Sequence, residues 1–376
     1  MVDGTCAPEF APLRDLLTKN LADGTDAGAS VAVIHDGELV VDLWGGEARP
    51  GVPWREDTVV MTWSVTKVMA ALTVLVLADR GDVDLDSPVA DYWPDFATNG
   101  KDGVLVRHLL SHTSGVPGWS RPVTVEDLLD LERSSDWLAE ESLWYEPGVG
   151  SAYQIVDHGH LLDGLVRRAA GRPLADVFRD EVAGPFADDF MIGVPDDQQD
   201  RCADLLPPPP SGVDYSKLPP DSFLLRTMAN PLLLPEACNS PDWRRGSVGS
   251  VGGHGNARGV AQIQAAVSHG GAYAGRSLLS DATIDRVFDV QASGLDQVLM
   301  QPVTWGIGYG LPTPSAPAVP DGRTCWWSGW GGSVVVNALD SRTTVAYVPN
   351  QMASHLLASP RTDTYLTAAF DCVAAL

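Results

Sequence analysis

Apolar residues recur at helical spacing directly after Ser64. The run consists of Val65, Val68, Met69, Leu72 and Val76 and ends at Gly81. The residues just before Ser64 are those of an extended segment, Thr58, Val59 and Val60. Because the spacing changes from extended to helical at this point, Ser64 is predicted to lie at or near the N-terminus of a helix.

Strand patterns stand near both ends of the chain. Residues 29–34 and 38–44 are rich in β-formers and flank Asp36-Gly37, which predicts a β-hairpin. Residues 332–339 and 343–348 repeat the pattern near the C-terminus, and a closing helix is predicted at about 363–374. Residues 8–21 are predicted to form an N-terminal amphipathic helix.

The centre of the chain is predicted to be mainly helical. Helical pieces are predicted at 87–95, 106–111, 123–131, 137–140, 161–170, 174–182, 257–268 and 280–287. A proline-rich loop follows at about 202–253, and no alternating strand pattern interrupts the central region. We therefore expect an α/β (α+β) fold, in which helices flank an antiparallel sheet built from both chain ends. Residues 1–62 and 254–376 form the sheet region and 63–253 the helical region, as two subdomains of one unit.

Composition narrows the class of protein. The 376 residues are 44% hydrophobic and 20% charged, as in a globular enzyme, and the net charge of −24 argues against nucleic-acid or anionic-membrane partners. Five widely spaced cysteines match neither a disulfide framework nor a zinc site. With no leader pattern and no span-length apolar run, a cytoplasmic location is expected.

Ser64 and Lys67 form a candidate pair of nucleophile and base. Residues three apart share a helical face, so the Lys67 amine can reach the Ser64 hydroxyl, and the helix N-terminus favours developing negative charge. Only four lysines occur in the chain, and one inside an apolar helix is costly unless it has a task. A chance Ser-x-x-Lys match remains the alternative for this motif alone.

Two further motifs carry candidate chemistry. Pro147-Gly148 leads to Tyr153 just before a helix, and residues 327–332 read Trp-Ser-Gly-Trp-Gly-Gly at a glycine-rich entry to a strand. If each motif is considered alone, Tyr153 is better interpreted as a core aromatic residue, and the glycines are better interpreted as a bulged entry to a strand.

Together with Ser64-x-x-Lys67, these motifs resemble the serine β-lactamase and penicillin-binding-protein superfamily, specifically the class C-like family VIII carboxylesterases and related transacylases. Residues 109–115, 230–231 and 253–258 are also similar to stretches usual in that family. The resemblance runs nearly from end to end.

The resemblance implies a role for each site residue. Ser64 is the acylated nucleophile, Lys67 and Tyr153 exchange the proton, and Tyr153 protonates the leaving group. The backbone N–H groups of Ser64 and Trp330 form the oxyanion hole. For either base to act, its pKa must be lowered by burial or by a neighbouring cation, and we expect Lys67 and Tyr153 to do this for each other.

Two departures from the β-lactamase pattern bear on the substrate. Tyr153-Gln154-Ile155 replaces Tyr-x-Asn, and Trp327-Ser328-Gly329 replaces Lys-Thr-Gly, so an amide and a cation are missing. Ile155, Trp327, Ser328 and Gly329 are the predicted substrate-binding residues, and they favour a neutral, rather hydrophobic acyl group.

Rival sites are weaker. His158 and His160 point about 200° apart on a helix, so a metal site with Asp163 is not expected. No Gly-x-Ser-x-Gly elbow occurs, and His112 reads as a structural residue at a helix end. No cofactor is expected.

The sequence thus predicts a serine esterase that acts on small neutral carboxylic esters through an acyl-enzyme. The alternative is a transacylase, possibly of secondary metabolism, that passes the acyl group to an amine or alcohol. For transfer, the proline-rich loop and five tryptophans are expected to enclose the cleft: Trp243, Trp305, Trp326, Trp327 and Trp330. A β-lactamase, a DD-peptidase and a non-catalytic binding protein are weaker alternatives. The oligomeric state is left open.

Overall fold

A computed structural model describes residues 1–212 and 214–376. The strands are β1 (Val2–Cys6), β2 (Gly28–His35), β3 (Glu38–Arg49), β4 (Val52–Pro53), β5 (Val60–Met61), β6 (Phe190–Ile192), β7 (Gly253–Gly255), β8 (Ala272–Tyr273), β9 (Arg276–Ser277), β10 (Ala292–Leu295), β11 (Pro302–Trp305), β12 (Gly310–Leu311), β13 (Thr324–Ser328), β14 (Val334–Ala338) and β15 (Thr343–Pro349).

The α-helices are α1 (Ala11–Asp23), α2 (Val65–Asp79), α3 (Val106–Leu110), α4 (Val125–Leu129), α5 (Leu131–Glu140), α6 (Asp157–Ala170), α7 (Leu174–Val177), α8 (Phe223–Met228), α9 (Pro241–Arg245), α10 (Ala257–Ser268), α11 (Asp281–Val287) and α12 (Pro360–Ala374). A π-helical turn, Phe178–Ala183, continues α7. No helix in the described part of the chain has the length and apolar character needed to cross a membrane.

One large antiparallel sheet joins the two ends of the chain. Its strand order is β1-β3-β2-β15-β14-β13-β12-β11-β10, with β4 paired to β3. The N-terminal hairpin therefore pairs with the C-terminal one through β2 and β15. This confirms the expected α/β class with an antiparallel sheet made from both chain ends.

The central strand β2 shows why the sheet is flanked on both sides. Seven of its eight residues are buried, and only His35 at its end is partly exposed. Helix α10 packs on β2, β14 and β15, while α1 and α12 pack on the sheet and on each other. A strand covered on both faces needs a nearly continuous apolar run, and residues 29–34 are apolar except for Ser30, whose hydroxyl accepts from the Ala257 N–H of α10.

Helix α2 lies in the core of the helical half. Its residues from Val65 to Leu77 are all buried, and it contacts α6, α7 and β13. A helix that is apolar on every side is stable only when packed all round. The position of Ser64 is therefore fixed by a fully enclosed helix.

A three-stranded sheet is a feature that the sequence pattern did not indicate. It has the order β5-β7-β6 and so joins residues 60–61, 253–255 and 190–192. Strands of two or three residues are too short to show an alternating pattern, because their stability comes from their partners. Strands β5 and β7 lie at the two borders of the expected helical region, and β6 lies inside it. The division of the chain into these two regions stays a proposal.

Candidate active site

Ser64 lies at a sharp turn between strand β5 and helix α2. Trp63, the residue before it, has a left-handed φ of 50°, which is unusual for a bulky side chain. Ser64 is the N-cap residue of α2, as predicted, and its side chain caps no backbone N–H. The hydroxyl is thus left for other partners.

The surrounding chain holds this turn in place. The Thr66 hydroxyl donates to the Trp63 carbonyl at 2.6 Å and accepts from the Gly253 N–H at 2.9 Å. The Thr62 carbonyl accepts from the Ser333 hydroxyl at 2.6 Å. Because β7 and the β13–β14 connection both contact the turn, its unusual backbone is determined by tertiary structure.

Lys67 is buried directly beside the nucleophile. Its Nζ lies 3.1 Å from Ser64 Oγ, 2.7 Å from the Ile155 carbonyl and 3.1 Å from the Ser250 carbonyl. Burial lowers the pKa of Lys67 to about 7, and Asp157 opposes that shift. A neutral amine has two N–H groups for the two carbonyls and a lone pair for the Ser64 hydroxyl, so Lys67 can serve as the base.

Tyr153 lies beside Lys67, and two tryptophan side chains contact its hydroxyl and its ring. The Trp327 indole N–H donates to its hydroxyl at 3.0 Å, and its ring is parallel to that of Trp305, with centroids 5.9 Å apart. Lys67 Nζ lies 4.8 Å from the centre of the Tyr153 ring. The fold therefore brings Ser64, Lys67 and Tyr153 into one site.

The expected pKa shift of Tyr153 is wrong in direction. Burial raises the pKa of its phenol, while the Ser64 and Trp327 side chains oppose the rise. Desolvation disfavours the charged form, so it lowers the pKa of an amine but raises that of a phenol. In the free site Tyr153 is therefore a neutral phenol.

Asp157 is a buried carboxyl that the sequence motifs did not single out. It is the first residue of α6, is 2% exposed, and accepts from the Gln154 side-chain amide at 3.0 Å. Burial raises its pKa to about 7, and Gln154 and Lys67 oppose the rise. The Lys67 amine therefore has an acidic partner within electrostatic range.

A narrow apolar pocket opens beside Ser64. Its empty volume is about 390 Å³, and its lining residues are Trp63, Ser64, Tyr153, Ile155, Val251, Leu299, Trp330 and Leu356. Ile155 lines this pocket, as expected. Leu299 and Leu356 come from irregular segments without periodicity, so no sequence pattern pointed to them.

The other predicted substrate-binding residues, Trp327, Ser328 and Gly329, lie outside the pocket lining. Trp327 is 2% exposed, lies outside the pocket lining and binds Tyr153. Trp327 and Ser328 end β13, and the glycines that follow connect it to β14 at Val334, so they lead into a strand as predicted. The Ser328 hydroxyl is buried without a hydrogen-bond partner in the described part of the chain.

Gly329 brings this connection against the nucleophile turn. A Cβ atom there would lie 2.2 Å from the Thr62 carbonyl oxygen and 3.0 Å from Trp63 Cβ. Only glycine therefore allows this approach. Among the described residues, the backbone N–H groups of Ser64 and Trp330 donate to no protein acceptor.

Of the histidines considered as rivals, His160 and His112 have structural partners, whereas both ring nitrogens of His158 are buried without a hydrogen-bond partner among the described residues. His160 contacts the Val156 and Leu128 carbonyls through its two ring nitrogens, and Asp163 accepts from Arg167 and from the Leu174 N–H. His112 is buried, and its Nδ1 accepts from the Gln154 N–H at 3.2 Å. These contacts are those of structural residues.

The family profile named Beta-lactamase matches residues 13–369. The chain belongs to the β-lactamase family. The esterase/beta-lactamase LipL of Mycobacterium tuberculosis is 31% identical over 373 residues, which cover 95% of this chain and 84% of LipL. Family membership identifies the chain as an enzyme.

Solved structures of this β-lactamase family agree over almost the whole chain. A family VIII carboxylesterase superposes with a TM-score of 0.93 at 35% identity and covers 99% of this chain and 100% of its own. A penicillin-binding-protein homologue from Caulobacter crescentus gives 0.90 at 32% identity, with the same coverage of both chains. The relatives share the fold but are named for different activities. The fold alone therefore does not show which activity this chain has, and the residues of the site must be used to decide.

Proposed function

We propose that this β-lactamase-family enzyme is a serine hydrolase that cleaves neutral carboxylic esters through an acyl-enzyme at Ser64. The observation that supports the proposal most is the contact of 3.1 Å between Ser64 Oγ and a buried lysine whose pKa is about 7. An amine with this pKa is near the optimum for taking a proton at neutral pH. The esterases and carboxylesterases among its relatives support the same reaction.

In the proposed acylation step, Lys67 takes the Ser64 proton as Oγ forms a bond to the ester carbonyl carbon. The carbonyl oxygen becomes negatively charged and accepts from the free N–H groups of Ser64 and Trp330. Tyr153 then gives its proton to the leaving alkoxide as the C–O bond breaks. The alcohol departs, and Tyr153 recovers a proton from Lys67.

In the proposed second step, water attacks the Ser64 ester. Tyr153 passes its proton to Lys67 as it takes one from this water, and the protonated Lys67 then gives a proton to Ser64 Oγ as the bond from Oγ to the acyl carbon breaks. The carboxylic acid is released and the site returns to its first state. The same three residues thus serve both halves of the reaction, as reversibility requires.

The pocket supports a neutral acyl group. Apart from Ser64 and the Tyr153 hydroxyl, its lining side chains are aliphatic or indole, and no charged residue is among them. A carboxylate placed there would lose its hydration without gaining a cation. Trp327, which stands where the β-lactamase pattern has a lysine, uses its only donor on Tyr153.

Steady-state kinetics test the proposal. We expect kcat/KM for a nitrophenyl butyrate to exceed that for a cephalosporin by at least about 100-fold, which corresponds to roughly 2.7 kcal/mol of transition-state binding. Ser64→Ala should abolish turnover, whereas Ser277→Ala on the exposed strand β9 should have no effect. A cephalosporin cleaved as fast as the ester, or an active Ser64→Ala variant, contradicts the proposal.

Transacylation is the second candidate. An open surface groove lies beside Pro207–Pro209 and is also lined by Met352 and His355. His355 lines this groove, and the next residue, Leu356, lines the pocket beside Ser64. Of the tryptophans expected to enclose the cleft, only Trp330 lines the pocket, and the others are buried in the core: Trp243, Trp305, Trp326 and Trp327. Product analysis of the same reactions with a bulky amine added separates transfer from hydrolysis.

Two further expectations stay predictions. They are the cytoplasmic location and the absence of a nucleic-acid or membrane partner, and the net charge of −24 supports the second of them.

A further inference from the structure

Asp296 is a fully buried carboxylate that none of the proposed chemical steps uses. It is 0% exposed and follows directly after strand β10, at the start of a tight loop that ends at Gln301. The Asp296 N–H donates to the Gln301 carbonyl at 3.0 Å, and the Met300 N–H donates to the Asp296 carbonyl at 2.9 Å. The loop therefore closes around the Asp296 side chain.

The carboxylate accepts hydrogen bonds from five donors. Oδ1 accepts from the backbone N–H groups of Tyr153 at 3.0 Å, Val298 at 2.9 Å and Leu299 at 2.9 Å. Oδ2 accepts from the Ser151 hydroxyl at 2.7 Å and from the Trp305 indole at 3.4 Å. A carboxylate with this many donors is well compensated for its burial.

The donors belong to three parts of the active site. Tyr153 carries the phenol, and Leu299 lines the pocket beside Ser64. Trp305 is parallel to the Tyr153 ring and lies 4.4 Å from Trp327, centroid to centroid. Asp296 thus fixes the Tyr153 backbone and also the ring against which Tyr153 stacks, while Trp327 holds the phenol oxygen at the other end.

We propose that Asp296 is a positioning residue that holds Tyr153 and the Leu299 wall in the geometry needed for acyl transfer. The proposal rests on the proposed function, because it concerns the placement of Tyr153 relative to Ser64. Asp296 touches no reacting atom and acts through the residues that it orients. A displacement of about 1 Å at a reacting group lowers a rate by about 100-fold, so this support is expected to be visible in kcat.

Asparagine is a close test of this role. In Asp296→Asn one oxygen becomes an NH₂ group, and every partner of the carboxylate is a donor. In either orientation of the amide, its NH₂ group faces donors that the carboxylate oxygen had accepted from. At least one of these donors is then left without an acceptor. The side-chain volume is unchanged, so the variant changes the hydrogen bonds without creating a cavity.

The control is Asp26→Asn, a second buried carboxylate. Asp26 is 1% exposed and accepts from the Tyr347 and Tyr365 hydroxyls, with Arg361 at 3.2 Å. It ties α12 to the sheet and has no hydrogen bond to Tyr153 or to any other residue that lines the pocket beside Ser64. A structural role alone predicts that both variants lose stability and keep kcat.

We expect Asp296→Asn to lower kcat for the butyrate ester by about 10- to 100-fold, and Asp26→Asn to leave kcat within about twofold of wild type. In a Tyr153→Phe background, Asp296→Asn should have little further effect on the residual rate, because residues that act as a unit are not additive. Equal kcat in wild type and folded Asp296→Asn, or an undiminished effect in the Tyr153→Phe background, overturns the proposal.

Ser151→Ala tests the same role even if Asp296→Asn fails to fold. It removes one donor, keeps the carboxylate and is expected to lower kcat about 3- to 10-fold with the thermal midpoint nearly unchanged. An unchanged kcat in Ser151→Ala overturns the proposal where Asp296→Asn cannot be purified. Failure of the proposed function is seen separately, as wild-type protein that cleaves none of the esters.

Discussion

At the scale of single residues, the site depends on the protonation of Lys67. Its amine must be neutral to take the Ser64 proton, and burial lowers its pKa from 10.5 to about 7. Below that pKa the base is protonated and inactive. The esterase rate should therefore rise with pH and level off above the pKa.

We predict an acid limb in kcat/KM with a midpoint near pH 7, where the buried Lys67 and Asp157 titrate as a coupled pair. Asp157 raises the pKa of Lys67, since a negative charge favours the charged amine. Asp157→Asn should therefore move the limb to lower pH. A pH-rate profile for both proteins checks this, and a flat profile between about pH 5 and pH 8, or a limb that moves upward in the variant, contradicts it.

The three residues of the proposed catalytic group could be picked out from the sequence because their signals are local. Ser64 and Lys67 stand three apart on one helix, and Tyr153 follows a Pro-Gly turn. The supporting roles of Asp296 and Trp305 could not be predicted from the sequence, because these residues come close to Tyr153 only through the pairing of distant segments. The direction of the Tyr153 pKa shift also depends on burial, which the motif alone does not specify.

At the scale of elements, the long and regular ones were predicted well. The hairpin of β2 and β3 follows from Asp36-Gly37, whose φ angles are 47° and 85°. Helix α10 spans Ala257–Ser268, as its apolar spacing indicates. Such patterns are set by neighbours within a few residues of each other.

The short strands were not predicted. Strands β10, β11 and β12 have two to four residues and complete one edge of the large sheet, where the sequence pattern indicated no strand. Strand β1 was missed in the same way, although it pairs with all five of its residues to β3. These strands are stabilised by their partners and by burial, so tertiary contacts outweigh local propensity.

At the scale of the whole molecule, one buried cation ties distant segments together. Arg258 on α10 lies 3.0 Å from Asp42 of β3, 2.9 Å from Glu56 and 2.6 Å from Asp189. The Arg258 side chain is 17% exposed, and those of Asp42 and Asp189 are 13% and 15% exposed. Removing the cation leaves the largely buried Asp42 without a cationic partner and takes one of two from Asp189, which keeps its ion pair with Arg201.

We predict that Arg258→Ala lowers the free energy of unfolding by about 3 kcal/mol, because a broken buried ion pair costs that order of energy. The matched control is Arg245→Ala. Arg245 is 47% exposed and pairs with two exposed aspartates, so its loss should cost less than about 1 kcal/mol. Denaturant unfolding of both variants measures the difference, and equal losses would show that Arg258 has no special role.

The acyl-enzyme at Ser64 is tested most directly by the mass of the protein during turnover. Rapid quenching with a nitrophenyl ester, followed by intact-mass and peptide mass spectrometry, reports whether an acyl group is attached and where. We predict one added acyl group on the peptide that contains Ser64, and none in Ser64→Ala. Turnover of the ester with no adduct at early times, or an adduct on another residue, would contradict the acyl-enzyme mechanism.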